Sequence, residues 1–131
     1  LSLYDALPIS RLAKRYDAGL AGLEGFVATP VTAARSVPVE TVVYTYVIQA
    51  ERKGDLIAYL RAHGVETEEY YPRPLHLQPC FVELGYRIGD MPVAEDACRK
   101  AFALPLYPDM SEEAVERVCD LIRAFYGWRT G

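Results

Sequence analysis

Lysine and histidine are both scarce here, with Lys14, Lys53 and Lys100 the only lysines and two histidines among 131 residues. Each lysine stands in a polar helical or turn context, where a solvated ammonium is expected rather than the desolvated amine that forms Schiff bases. The chain has no glycine-rich phosphate loop, no GxSxG elbow and no His/Cys cluster at metal-ligand spacing. Basic charge is also short: 14 Lys and Arg against 18 Asp and Glu leave a net charge of −4. That excludes the basic surface through which proteins release counterions from nucleic acid. No apolar run approaches the length of a membrane span, and no stretch joins a basic start to an apolar middle and a small-residue cleavage site. Cys80, Cys98 and Cys119 are odd in number and match neither a metal motif nor a disulfide framework. Buried, inert thiols in a reducing cytoplasm are expected.

What is present suffices for one domain with a real core, since 51% of the residues are hydrophobic. Residues 1–10 fit poorly with the rest of the chain. Asp5-Ala6-Leu7-Pro8-Ile9 resembles a translated sequencing adapter, so this segment is set aside as foreign and the domain is taken as 11–131. Leu12, Tyr16, Leu20 and Leu23 recur at helical spacing and predict a helix over Arg11–Leu23, ended by Gly22 and Gly25. Phe26–Glu40 reads as a loop with a short strand. Thr41–Gln49, dense in β-branched and aromatic residues, predicts a central strand covered on both faces. Asp55 is the expected N-cap of a helix that uses Leu56, Ile57 and Leu60 and stops at His63-Gly64.

Val65–Tyr70 reads as a short strand leading into the densest stretch of the chain, Glu69 to Cys80, which holds Pro72, Pro74, Pro79 and His76. Proline fixes φ and removes a donor, so a stiff, extended recognition loop is expected, with Tyr71, Arg73 and Gln78 drawn out. Tyr70 and Tyr71 would then point to opposite sides, one inward and one into a cleft. For His76 two roles stay open, a structural hydrogen bond or contact with a polar ligand. One helical turn is expected at Phe81–Leu84. Beyond it, Asp90 should cap a helix with Pro92 in its first turn and Ala94, Ala97, Cys98 and Ala101 packed on a neighbour. After a short extended piece, Ser111 should cap the last helix, with Val115, Val118, Ile122 and Phe125 as its buried stripe. The fold class expected is α+β: helices packed on a small, mainly antiparallel sheet. By residues alone the chain is a domain with a recognition loop and without catalytic apparatus of its own. A ligand-binding or regulatory module and an interaction domain both suit that description.

A longer pattern narrows the choice. The pieces RLAKRYDAGLAGL, VVYTYVIQ and DLIAYLRAHGVET, then YYPRPLHLQPCF followed by LGYRIGDMPVAEDACRKAFALPLYPDMSEE, resemble in order the C-terminal small domain of the DegT/StrS nucleotide-sugar aminotransferases. The resemblance runs from Arg11 to Gly127. It implies a fold-type I enzyme that uses pyridoxal phosphate, with the Schiff-base lysine in a large domain outside this chain and a second subunit completing the active site. It also implies amino transfer, usually from glutamate, to a keto-sugar linked to a nucleoside diphosphate, in polysaccharide or glycosylated-metabolite synthesis. The family commonly carries His-Tyr-Pro at the head of the loop. Here Tyr70-Tyr71-Pro72 stands there, and a phenol hydrogen-bonds a sugar hydroxyl or phosphate without titrating near neutrality. The substrate-facing residues implied by the resemblance are Tyr70, Tyr71 and His76, with Arg73 for an anionic group. No catalytic residue is expected within the chain.

Overall fold

Ile9, Leu12, Ala13, Tyr16 and Leu20 recur every three or four residues and are all buried, forming the inner stripe of helix α1, Leu3–Leu20. The structure, a computed structural model, describes residues 3–31 and 41–127. Helix α1 begins within the segment set aside from the sequence and contains Pro8, which removes one intrahelical hydrogen bond near its start. It ends at Leu20 rather than Leu23, because Gly22 turns the chain at φ 87°. Arg123 satisfies the carbonyls left open at that end, donating to Gly19 O and Ala21 O at 2.8 Å each.

The sheet has three antiparallel strands: β1 (Val27–Ala28), β2 (Tyr46–Ala50) and β3 (Ala101–Leu104), in the order β1-β2-β3. Tyr46 faces Leu104 and Ile48 faces Phe102 across the β2–β3 pair. The fold is thus α+β with an antiparallel sheet, and β2 is central. Two strand expectations need correction. Thr41–Thr45 lies outside β2, and only one face of β2 is covered: Tyr46, Ile48 and Ala50 are buried, whereas Val47 is half-buried and Gln49 exposed. The hydrophobic core lies on the Tyr46 side of the sheet, and the Val47 side is covered only in part. Val65–Tyr70 is no strand either. It makes a single bridge, in which the Glu68 and Ala103 backbones exchange hydrogen bonds of 3.2 and 2.7 Å. The expected segment Phe26–Glu40 falls partly outside the described residues.

Helix α2, Lys53–Ala62, buries Leu56, Ile57 and Leu60 and ends at Gly64, whose φ of 77° suits glycine. Asp55 is not its N-cap. Arg52 precedes the helix in a left-handed conformation, and the Asp55 carboxylate accepts from the Arg52 guanidinium at 3.1 Å instead. Helix α3 spans Pro92–Lys100, and here too the cap differs. Asp90 accepts from the Arg87 amide at 2.8 Å and closes the preceding turn, leaving Met91 as the N-cap.

Helix α4, Glu112–Phe125, matches expectation: Ser111 Oγ accepts from the Ala114 amide at 3.1 Å, and Val115, Val118, Cys119 and Ile122 are buried, with Phe125 partly so. The three thiols do not share one environment. Cys119 is buried, Cys98 half-buried and Cys80 exposed. Burial pushes the Cys119 thiol up to about 12, Arg123 opposing and Asp120 and Glu116 adding to the rise, which makes it inert. Among the described residues no helix is long and apolar enough to cross a membrane.

Helices α1 and α4 pack so closely that a Cβ at Gly19 would lie 2.5 Å from Cys119 Sγ and 2.9 Å from its Cβ. Replacing Gly19 by Ala should therefore lower the unfolding free energy by about 1–3 kcal/mol despite alanine's better helix propensity. Urea denaturation of the two proteins checks this, and an unchanged midpoint would refute the close contact.

Candidate functional site

The open face of β2 forms the floor of a cavity of about 640 Å³. Val47 and Thr45 line it from the strand side, Ala94, Ala97 and Cys98 from α3, and Tyr70, Tyr71 and Arg73 from the loop. The small side chains of α3 thus wall a cavity rather than packing into the core, and every residue of α3 keeps some exposure. This corrects the expectation of close helix packing there. A second hollow of about 300 Å³, carrying Glu66 and Glu68, shares Tyr44, Thr45 and Tyr70 with the first. Tyr70 stands on the ridge between the two. The walls of the larger cavity are chiefly apolar, with phenols and one guanidinium to orient a bound molecule, a composition usual for small-molecule sites.

The loop is less extended than its prolines suggest. Leu75–Leu77 and Pro79–Leu84 form two 3₁₀ turns, with Pro74 just before the first and Pro79 opening the second. Proline is harmless in these places because a first-turn amide has no intrahelical partner. Gln78 remains extended, at φ −67° and ψ 141°. Tyr70 and Tyr71 do not alternate as they would in a strand. Both line the larger cavity, at 52% and 80% exposure, because the chain bends here and no ladder enforces the pleat.

His76 behaves differently from its neighbours. It is buried, meets the Tyr86 ring edge-on at 6.0 Å, and its Nε2 lies 2.9 Å from Glu95 Oε1. It braces the loop against the start of α3 and is absent from the lining of the larger cavity. Glu95 also accepts from the Gly89 amide at 2.9 and 3.0 Å and from the Met91 amide at 3.3 Å. The Gly89 amide first, then the His76 imidazole and the Met91 amide, hold this carboxyl below the usual range. A carboxylate only accepts, so His76 Nε2 carries the proton and donates.

Sequence reasoning passed over Glu95 and misjudged Lys53. Lys53 is no solvated ammonium: its Nζ donates to Glu69 Oε2 at 2.7 Å and to the Cys98 carbonyl at 2.9 Å. An acidic residue in the first turn after a proline was a readable signal for Glu95. Nothing local marks Lys53, whose partner carbonyl lies 45 residues away.

The DegT/DnrJ/EryC1/StrS aminotransferase family model matches residues 10–123. The pleiotropic regulatory protein of Geobacillus stearothermophilus is 44% identical over 85 residues, which cover 65% of this chain and 23% of that protein. The dTDP-3-amino-3,4,6-trideoxy-alpha-D-glucose transaminase of Streptomyces venezuelae is 36% identical over 114 residues, covering 87% and 29% respectively. Among solved structures, S. venezuelae DesV in complex with a ketimine intermediate superposes with a TM-score of 0.80 at 33% identity, covering 94% of this chain and 32% of that one. The chain spans less than a third of the length of these relatives.

A pyridoxal aldehyde needs an unprotonated amine within reach, and the lysines do not fit that need. Lys53 is committed to Glu69 and Cys98. Lys100 pairs with Glu51 at 2.7 Å and Asp96 at 3.3 Å, and these partners, Glu51 foremost, raise its pKa. Lys14 is exposed on α1. Incubating the chain with pyridoxal phosphate and then borohydride should therefore give no stoichiometric adduct by mass spectrometry. One adduct per chain on any of these lysines would overturn this assignment.

Proposed function

The chain belongs to the DegT/DnrJ/EryC1/StrS aminotransferase family, and from that premise we propose that residues 11–131 are the C-terminal small domain of a nucleotide-sugar aminotransferase. The parent enzyme transfers an amino group, from glutamate, to a keto-sugar carried on a nucleoside diphosphate. Pyridoxal phosphate supplies the electron sink of that reaction and is held by the parent's large domain, because the lysines here do not fit it. The parent works in the cytoplasm as a homodimer, feeding polysaccharide or glycosylated-metabolite synthesis.

The observation that carries this reading is the convergence of Tyr70, Tyr71 and Arg73 on one cavity. In this role the domain binds and orients and performs no chemistry. The phenols of Tyr70 and Tyr71 hydrogen-bond sugar hydroxyls, and the apolar floor under them excludes water. Arg73, with five donors in a planar fork, suits an anionic group such as the diphosphate. His76 serves from behind, fixing the backbone that carries them.

A ligand-binding or regulatory module is the second reading, favoured by the cavity's chiefly apolar lining with a few polar groups, which is usual for small-molecule sites. The upstream reading frame separates the two: a strand-flanked lysine and a downstream aspartate over a few hundred codons belong only to the transaminase.

In the intact enzyme, replacing Tyr70 by Phe should lower kcat/KM for the nucleotide-linked keto-sugar by about tenfold, the value of one hydrogen bond to a bound substrate. Steady-state kinetics checks this, and an unchanged kcat/KM would remove Tyr70 from the site.

A further inference from the structure

We propose that segment 69–76 is a pre-set wall, pinned near both ends to helix α3, and that Lys53 and Glu95 are its positioning residues. The proposal rests on the function proposed for this domain, in which the segment faces substrate. At the first end, Lys53 Nζ bridges the Glu69 carboxylate and the Cys98 carbonyl, at 2.7 and 2.9 Å. At the second, Glu95 Oε1 accepts from His76 Nε2 at 2.9 Å. Cys98 and Glu95 lie one turn apart on α3, so both ends of the segment are tied to the same short stretch of rigid helix. Between the pins stand Tyr70, Tyr71 and Arg73, with Pro72 and Pro74 stiffening the backbone that bears them.

Ordinary surface ion pairs contribute little, and the Arg52–Asp55 pair, with side chains 61% and 65% exposed, is of that kind. The pins are less exposed, although Glu69, the partner of Lys53, is itself 41% exposed. The Lys53 side chain is 13% exposed, and those of His76 and Glu95 are 5% and 12% exposed. Glu95 further closes the Gly89–Met91 turn through two amides, so its loss would release the loop and the start of α3 together. The cavity between segment and helix thus keeps its width without a ligand. A substrate entering it does not pay for ordering the wall, which is the advantage of preorganisation.

The test uses Glu95→Gln and Lys53→Met, made separately. The glutamine keeps one acceptor oxygen but turns an N–H towards the Gly89 amide. In the 131-residue chain, amide exchange followed by NMR should accelerate about tenfold or more at Leu77, Gln78 and Gly89 for Glu95→Gln, and at Glu68 for Lys53→Met. Exchange at Val118 in α4 should stay unchanged. Unaltered exchange near the pins, or equal acceleration in α4, overturns the proposal, the latter because it marks a general loss of stability. In the intact enzyme, each variant should raise KM for the nucleotide-linked keto-sugar about tenfold while kcat stays within about twofold. Local acceleration with an unmoved KM would support the pins and overturn the substrate-facing reading of the segment.

Discussion

Two phenols buried against each other hold the two layers of this domain together. Tyr16 of α1 stacks on Tyr46 of β2 with ring centroids 4.8 Å apart, and both are essentially without solvent contact. Burying a phenol is favourable only if its hydroxyl finds a partner. Tyr16 donates to the Pro105 carbonyl at 2.7 Å and Tyr46 to Asp17 Oδ1 at 2.5 Å. Those bonds reach the chain just after β3 and back into α1, so one stacked pair sets the helix against the sheet. Around it the core fills with Leu12, Leu20, Ile48, Leu56, Phe102 and Ile122.

The functional face arises from that arrangement by exclusion. With the Tyr46 side of β2 committed to the core, its other side is left for α3 and the proline-rich loop. These do not close over it, and a cavity remains. Leu75 of the cavity lining is exposed, as are Val82, Leu84, Ile88 and Val93 in the stretch that runs from the loop into α3.

Much of this was legible locally. Helix α4 could be read to the residue at its start, because a Ser cap and acidic first turn act within four residues. The central place of β2 was legible from its β-branched and aromatic density, and the loop was marked by its prolines. The caps of α2 and α3 were misread for one reason: an aspartate near a helix start can serve several donors, and Asp55 and Asp90 each pair with a group three residues earlier in the chain. The short strand expected at Val65–Tyr70 shrank to one bridge: on the free edge of β3 only Ala103 exchanges hydrogen bonds with it, at Glu68.

The sequence by itself determined the family, the α+β class and the identity of the loop that carries Tyr70, Tyr71 and Arg73. These are properties of residue order and of spacings shorter than a few turns. Only the tertiary structure decided which face of β2 is open, that Ala94, Ala97 and Cys98 wall a cavity, and that His76 turns from it towards Glu95. It also decided that Lys53 is an internal clamp and not a surface charge. The physical reason is common to all four. Each depends on groups brought together from distant parts of the chain, and the local preferences of those groups are equally content with water.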